Sequence, residues 1–236
     1  MSGSAYKLTI LLKAQEQLAP DAFADEWLRL EHQQPLDRPG LVRHVFDRPL
    51  ALPPLTPKGA AAPYDAAVET WWRRKNDAAD WVTSRQFEDA WLPPRLELLQ
   101  ERPAAVGGAP QLIWEREPAT GAQPARFLSL PVAQRRLTIE EFIDHWTGVH
   151  AQLALDGPGT RARLVSVEAT PGRTAPPAKF ARTRYDGVGA STFESAQALA
   201  AELASEHYAE CVLPDQPRFC DPASSAAMLT TPITLR

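Results

Sequence analysis

Short runs in which hydrophobic and polar residues alternate take turns along this chain with runs in which the apolar positions recur every three to four residues. Tyr6-Lys-Leu-Thr-Ile-Leu-Leu12 begins by alternating and ends apolar, as a strand with one well-buried face does. Pro20 suits the first turn of a helix, where its missing N–H costs nothing, and Asp21 suits the positive helix end. A helix is therefore expected from Pro20 to about Gln34, followed after a Pro-Gly turn by a strand over Gly40 to Phe46. Leu50 to Pro63 carries too many prolines for a ladder of hydrogen bonds and reads as a surface loop. A strand over Tyr64 to Trp72, a helix opened by Asn76, a break at Trp91-Leu-Pro-Pro, a short helix over Arg95 to Gln100 and a strand over Gln111 to Trp114 complete the first half.

The second half replays this order. Strands are expected at Arg126 to Pro131, Thr160 to Ala169, Lys179 to Gly189 and near Ala227 to Leu235, with a helix at Phe193 to Ser205, a broken helical stretch to about Phe219, and a proline-rich insert at Pro171 to Pro177. Its first helix has the clearest start in the chain. Thr138 and Glu141 stand as a capping box, with Leu137 and Phe142 around them as a hydrophobic staple. Phe142, Trp146 and His150 then share a face, while Asp144, His145 and Thr147 turn away from it. At a constant offset of 119, Phe23, Trp27 and Glu31 underlie Phe142, Trp146 and His150, and Leu36-Asp-Arg-Pro-Gly40 underlies Leu155-Asp-Gly-Pro-Gly159. An offset of 121 pairs Tyr64-Asp65 with Tyr185-Asp186 and Leu92-Pro93 with Leu213-Pro214. The chain reads as an internal duplication: a degenerate first unit over 1–115, a linker over 116–124 and a second unit over 125–236. Each unit is strand, helix, strand, strand, helix, strand, so the expected class is α+β, a tandem ferredoxin-like (βαββαβ) protein. One sheet face in each unit lacks helices, and two such apolar faces are expected to pack together or close into a barrel.

Composition narrows the class. Hydrophobic residues make up 44% and charged residues 23%, and the formal charge of −4 without a basic run argues against a nucleic-acid surface. No apolar stretch approaches a membrane span and the N-terminus lacks signal-peptide order, so no membrane partner is expected and the cytoplasm is the default location. Cys211 and Cys220 have neither disulfide-framework nor zinc-site spacing and read as packing residues. Phosphate-loop, nucleophile-elbow, zinc-peptidase and dinucleotide motifs are missing. His145 and His150, five apart, fall on different faces of an α-helix and make a poor metal pair. Trp71 and Trp72 point to opposite sides of a strand.

Phe142-x3-Trp146-x3-His150, followed by Tyr185-Asp-Gly187 and Ser205-Glu-His-Tyr208, resembles the EthD family of the dimeric α+β barrel superfamily. The resemblance covers both halves and is stronger in the second. It implies two units paired as an intramolecular barrel, each with an apolar pocket between sheet and helices. The relatives it points to include cofactor-free cyclases, dehydratases, isomerases and monooxygenases, and more remote haem proteins. His150 is the position that carries over. A buried neutral imidazole suits a general base acting on a small apolar or aromatic metabolite without a cofactor. Asp186 and Tyr185 are candidates to orient it or hold an oxyanion, and Arg184, Phe142 and Trp146 to contact substrate. The alternatives are a carrier whose pocket only binds, and a haem enzyme with His150 as axial ligand. A purely structural His150 at the helix end, with Phe142 and Trp146 as core, is the plain reading beside these. In the first half Glu31 replaces the histidine. Beside Arg29 it reads as a solvated charge in a unit without a working pocket, or else as a carboxylate base raised by burial. A homodimer of whole chains is compatible with this architecture.

Overall fold

The computed structural model describes residues 5–50, 63–172 and 179–236, so the two proline-rich segments read as loops lie mostly outside the described residues. Tyr6–Leu12 (β1), Pro20–Gln33 (α1), Leu41–Pro49 (β2), Ala66–Trp72 (β3), Lys75–Val82 (α2), Leu92–Leu96 (α3) and Ala104–Gly108 (β4) form the first half. Gln111–Glu115 (β5) follows. The second half runs through Ala125–Leu130 (β6), Ile139–Asp144 (α4), Ala151–Leu155 (α5), Thr160–Arg163 (α6), Leu164–Pro171 (β7), Gly187–Phe193 (β8), Ala196–Leu203 (α7), Leu213–Phe219 (α8) and Ala226–Thr234 (β9). Segments Gln86–Trp91, His145–His150 and Tyr208–Val212 are wound as π-helix.

Among the described residues nine strands form one antiparallel sheet in the order β4-β1-β3-β2-β9-β6-β8-β7-β5. Each half contributes the strand order of a ferredoxin-like unit, and the halves are joined where Val45 to Pro49 of β2 pair with Thr234 to Thr230 of β9. The outermost strands β4 and β5 are consecutive in the chain, separated only by Ala109 and Pro110. The first lies on β1 and the second on β7, so one interrupted strand ties the sheet's two ends together. The curl is tight. A side chain on Gly108 would stand 1.9 Å from the carbonyl oxygen of Pro171 at the end of β7. The fold is thus an α+β curled sheet with helices outside, and Pro110, which cannot donate a ladder hydrogen bond, marks the change of partner.

Alternation decides what fills each side. Leu8, Ile10, Leu12, Phe46, Val68 and Trp72 face α1 and α2 in an aromatic-rich core with Trp27, Trp81, Phe87 and Trp91. Leu11, Ala67, Val106, Leu128, Leu130, Val188 and Met228 face inward and form a core shared by the halves. The remaining inward positions are not apolar, contrary to the expectation of two greasy faces packed together. Lys7 meets Glu69 and Glu168 at 2.6 Å each, and Arg126 meets Glu69 at 2.5 Å and Asp47 at 3.1 Å. Opposite charges from both halves thus meet where the strands turn inward. Trp71 lies under the Lys7 ammonium at 4.4 Å, while Trp72 points to the helix side.

Several boundaries differ from the sequence reading, among them the expected break at Trp91-Leu-Pro-Pro, through which the chain stays helical to Leu96. Thr160 to Arg163 is a short helix rather than the start of a strand, because Gly159 at φ +76° turns the chain into it. Lys179 to Asp186 is not a regular strand; pairing with β7 begins at Gly187, and Ala181 instead bonds back to Pro103. Ala104 to Gly108, left without an element, is the strand that pairs β1. The capping box stands as read: Thr138 Oγ1 accepts from Glu141 N–H at 3.2 Å, and Glu141 accepts from Thr138 N–H at 2.8 Å. Thr138→Ala is expected to cost about 1 kcal/mol of unfolding free energy, measured by chemical denaturation.

Candidate functional site

The helix that begins at the Thr138 cap changes winding after Asp144. Over His145–His150 its hydrogen bonds run in π-helical fashion, i to i+5, which widens the turn and brings residues five apart towards one face. His145 and His150 therefore converge, correcting the reading that set them on different faces. Both meet Asp215 of α8: His145 Nε2 lies 3.1 Å from each carboxylate oxygen, and His150 Nδ1 lies 3.1 Å from Oδ2. Phe219, one turn further along α8, packs against both rings, at 5.4 Å from His145 and 4.7 Å from His150. Asp215 is buried, at 3% exposure, so a carboxylate out of water is balanced by two imidazole N–H donors.

Burial pushes the His150 pKa below its ordinary value, and that effect exceeds the lift from Asp215. The imidazole is held neutral, with Nδ1 committed to Asp215 and Nε2 without a protein partner among the described residues. The other candidates divide. Phe142 and Trp146 sit on the same helix in one cluster with Phe219, their rings 5.4 Å apart, and the Trp146 ring lies so close to Gly187 that a side chain there would collide with it. Asp186, Tyr185 and Arg184 are engaged elsewhere. Asp186 accepts from the Ala133 N–H at 2.7 Å, Tyr185 packs in the shared core against Tyr64, and exposed Arg184 lies over the Tyr185 ring. The partner the imidazole does have, Asp215, follows the Leu213-Pro214 pair that marked the repeat, and that position was the available signal.

The corresponding place in the first half is built with the charges exchanged. Glu31 is 3% exposed rather than solvated, and its Oε1 receives Trp27 Nε1 at 3.1 Å and faces Arg95 Nη2 at 3.2 Å. Burial raises its pKa, more than Arg95 lowers it. Behind it His44 of β2 is 2% exposed, and burial together with the Arg95 cation pushes its pKa down to about 3. Its proton NMR signals are accordingly expected not to titrate between pH 5 and 8. Because the folded pKa lies below the unfolded value of 6.5, His44 removes about 1.4 kcal/mol of stability per pH unit as pH falls below 6.5. A cavity of about 240 Å³ borders Glu31, His32 and His44, and a smaller one of about 70 Å³ lies inside the curled sheet beside Lys7, Glu69 and Arg126. Neither is bordered by His150. Among the described residues no cluster of three or more His, Cys, Asp or Glu is arranged to hold a metal ion, and no helix is long and apolar enough to cross a membrane.

Comparison with known proteins places this geometry. An anthrone oxidase-like protein shares the fold at TM-score 0.65 and 11% identity, covering 98% of this chain and 92% of that one. A candidate monooxygenase from Fusobacterium nucleatum subsp. nucleatum does so at TM-score 0.60 and 5% identity, covering 100% and 94%. A mutant chlorite dismutase from Candidatus Nitrospira defluvii does so at 0.53 and 12%, covering 98% and 92%. These likenesses establish the dimeric α+β barrel fold and nothing about chemistry. Comparison with curated protein sequences gives no match. The EthD domain model matches residues 134–223, a span that holds the capped helix, its π-wound turn, His145, His150 and Asp215. The match to the EthD domain model thus lies within the second half of the chain.

Proposed function

We propose that the protein is a cofactor-free enzyme of small apolar or aromatic metabolites, in which His150 takes up and returns a proton through Nε2. The observation that supports this is the Asp215 contact at Nδ1. An acceptor there keeps the proton on Nδ1 and leaves the lone pair on Nε2. Burial disfavours the imidazolium, so the base is available near neutral pH. Phe219 gives a planar substrate apolar surface beside the ring. Removal of an acidic C–H or O–H proton is a step common to cyclisation, dehydration, isomerisation and oxygenation. On the same reading residues 1–115 are a degenerate EthD-like unit that supports the working unit over 125–236.

Anthrone is the first probe, since its methylene protons lie between two aryl rings and are acidic, and a fold relative bears its name. Deuterium uptake at that methylene in D₂O, followed by NMR under nitrogen, is expected to be faster with the protein than in buffer and to return to the buffer rate in His150→Ala. Binding of anthrone without accelerated exchange would favour a carrier. A Soret band in the purified protein would replace this reading by haem ligation through the same Nε2.

A further inference from the structure

We propose that the 240 Å³ cavity of the first half is a second ligand site, distinct from His150, for a neutral hydroxyl-bearing molecule of one or two fused rings. The cavity is bordered by Glu31 of α1, by Pro35 and Leu36 just after it, by His44 from β2, by Ile233 of β9 and by Leu235 just after it. Leu235 is held over it by hydrogen bonding its N–H to the His44 carbonyl at 2.9 Å, so the second half supplies one wall.

Two polar groups on this wall are buried yet unmatched. Among the described residues Glu31 Oε2 and His44 Nε2 have no partner in good hydrogen-bond geometry, on side chains that are 3% and 2% exposed. Leaving such atoms bare costs free energy that a native core seldom bears without a use. Their chemistry selects the ligand. Oε2 of a carboxyl facing Arg95 calls for a donor, whereas the neutral His44 ring offers an N–H or a lone pair. A hydroxyl can donate to the first and accept from the second. An anion would meet the Glu31 carboxylate, and a cation would meet Arg95. Pro35, Leu36, Ile233 and Leu235 then contact the ring body.

The test is calorimetric titration of the full-length protein with 1-naphthol and with naphthalene, paired with amide NMR mapping. Naphthol is expected to bind at least about tenfold more tightly than naphthalene, because only the hydroxyl satisfies the two buried atoms. Amides of Glu31, Leu36, His44 and Ile233 are expected to shift. Leu36→Trp and Ile233→Trp, from opposite walls, should each fill the space and abolish binding; the second tolerates a larger residue more easily because Ile233 is only partly buried. Equal binding of naphthol and naphthalene, binding that survives both fillings, shifts confined to His145 and His150, or no binding of naphthol at millimolar concentration would each overturn the proposal. None of these outcomes bears on proton transfer at His150, which is read separately from deuterium exchange.

Discussion

Arg126→Met is expected to lower the unfolding free energy by about 3–5 kcal/mol at pH 8 and by less at pH 6, read from urea midpoints at both values. Its guanidinium is 5% exposed and bonds Asp47 at 3.1 and 3.3 Å, Glu69 at 2.5 Å and the Thr192 hydroxyl at 3.2 Å. Methionine keeps much of the volume and removes the charge, leaving Asp47 without its ion-pair partner and Glu69 with Lys7 alone inside the sheet. A loss of that size is a large part of a typical total stability of about 5–15 kcal/mol.

The pH dependence follows from counting charges. Lys7 and Arg126 face Asp47, Glu69 and Glu168, one carboxylate too many. Burial works against ionising Glu69, but Lys7 and Arg126 outweigh it and hold that carboxyl below its ordinary value. Asp47 is the group that yields. Burial, with Glu69 beside it, raises its pKa to about 7 against the pull of Arg126. A carboxyl whose folded pKa exceeds its unfolded 3.8 contributes stability that is complete below that value and lost as pH rises through about 7. At pH 6 the proton on Asp47 therefore softens the loss of Arg126, whereas at pH 8 it is gone. Asp47→Asn should flatten the decline between pH 6 and 8 without lowering stability at pH 8. An Arg126→Met protein whose midpoint matches wild type at both values would mean that water reaches the network.

His150→Ala should slow proton transfer by about 10²–10⁴-fold, the range spanned by a positioned general base. Two neighbouring variants separate base from scaffold. Asp215→Asn can turn its amide towards His150 Nδ1 and donate, which forces the proton to Nε2 and removes the base while the helix stays in place. His145→Gln keeps a donor to Asp215 and should retain most of the rate. The rate should fall on the acid side through a limb below the ordinary imidazole value of 6.5, since the folded pKa is lowered. Equal rates for wild type and His150→Ala would assign the imidazole to packing against Phe219 and Asp215 alone.

Interactions within a few residues of one another were legible in the sequence. The Thr138–Glu141 box, the alternation of Tyr6–Leu12 and the Phe142-Trp146 face each depend on backbone period and local side-chain reach, which are encoded where they act. The α+β class was legible too, from the alternation of strand and helix patterns. The winding of His145–His150 was not. An α-helix and a π-turn differ by one hydrogen-bond step, and α8, 65 residues away, supplies the carboxylate that uses the wider turn. Likewise Lys7, Asp47, Glu69, Arg126 and Glu168 were visible only as charges scattered over separate strands. Curling the sheet brought them together, because a partner for a buried charge is chosen by distance in space. The sequence by itself determined most of the strands, the capped helix and the position of the histidine on it. Tertiary structure alone decided that this histidine answers to Asp215, that Glu31 is buried beside a cavity, and that ions lie at the centre of the sheet, since each depends on contacts between segments far apart in the chain.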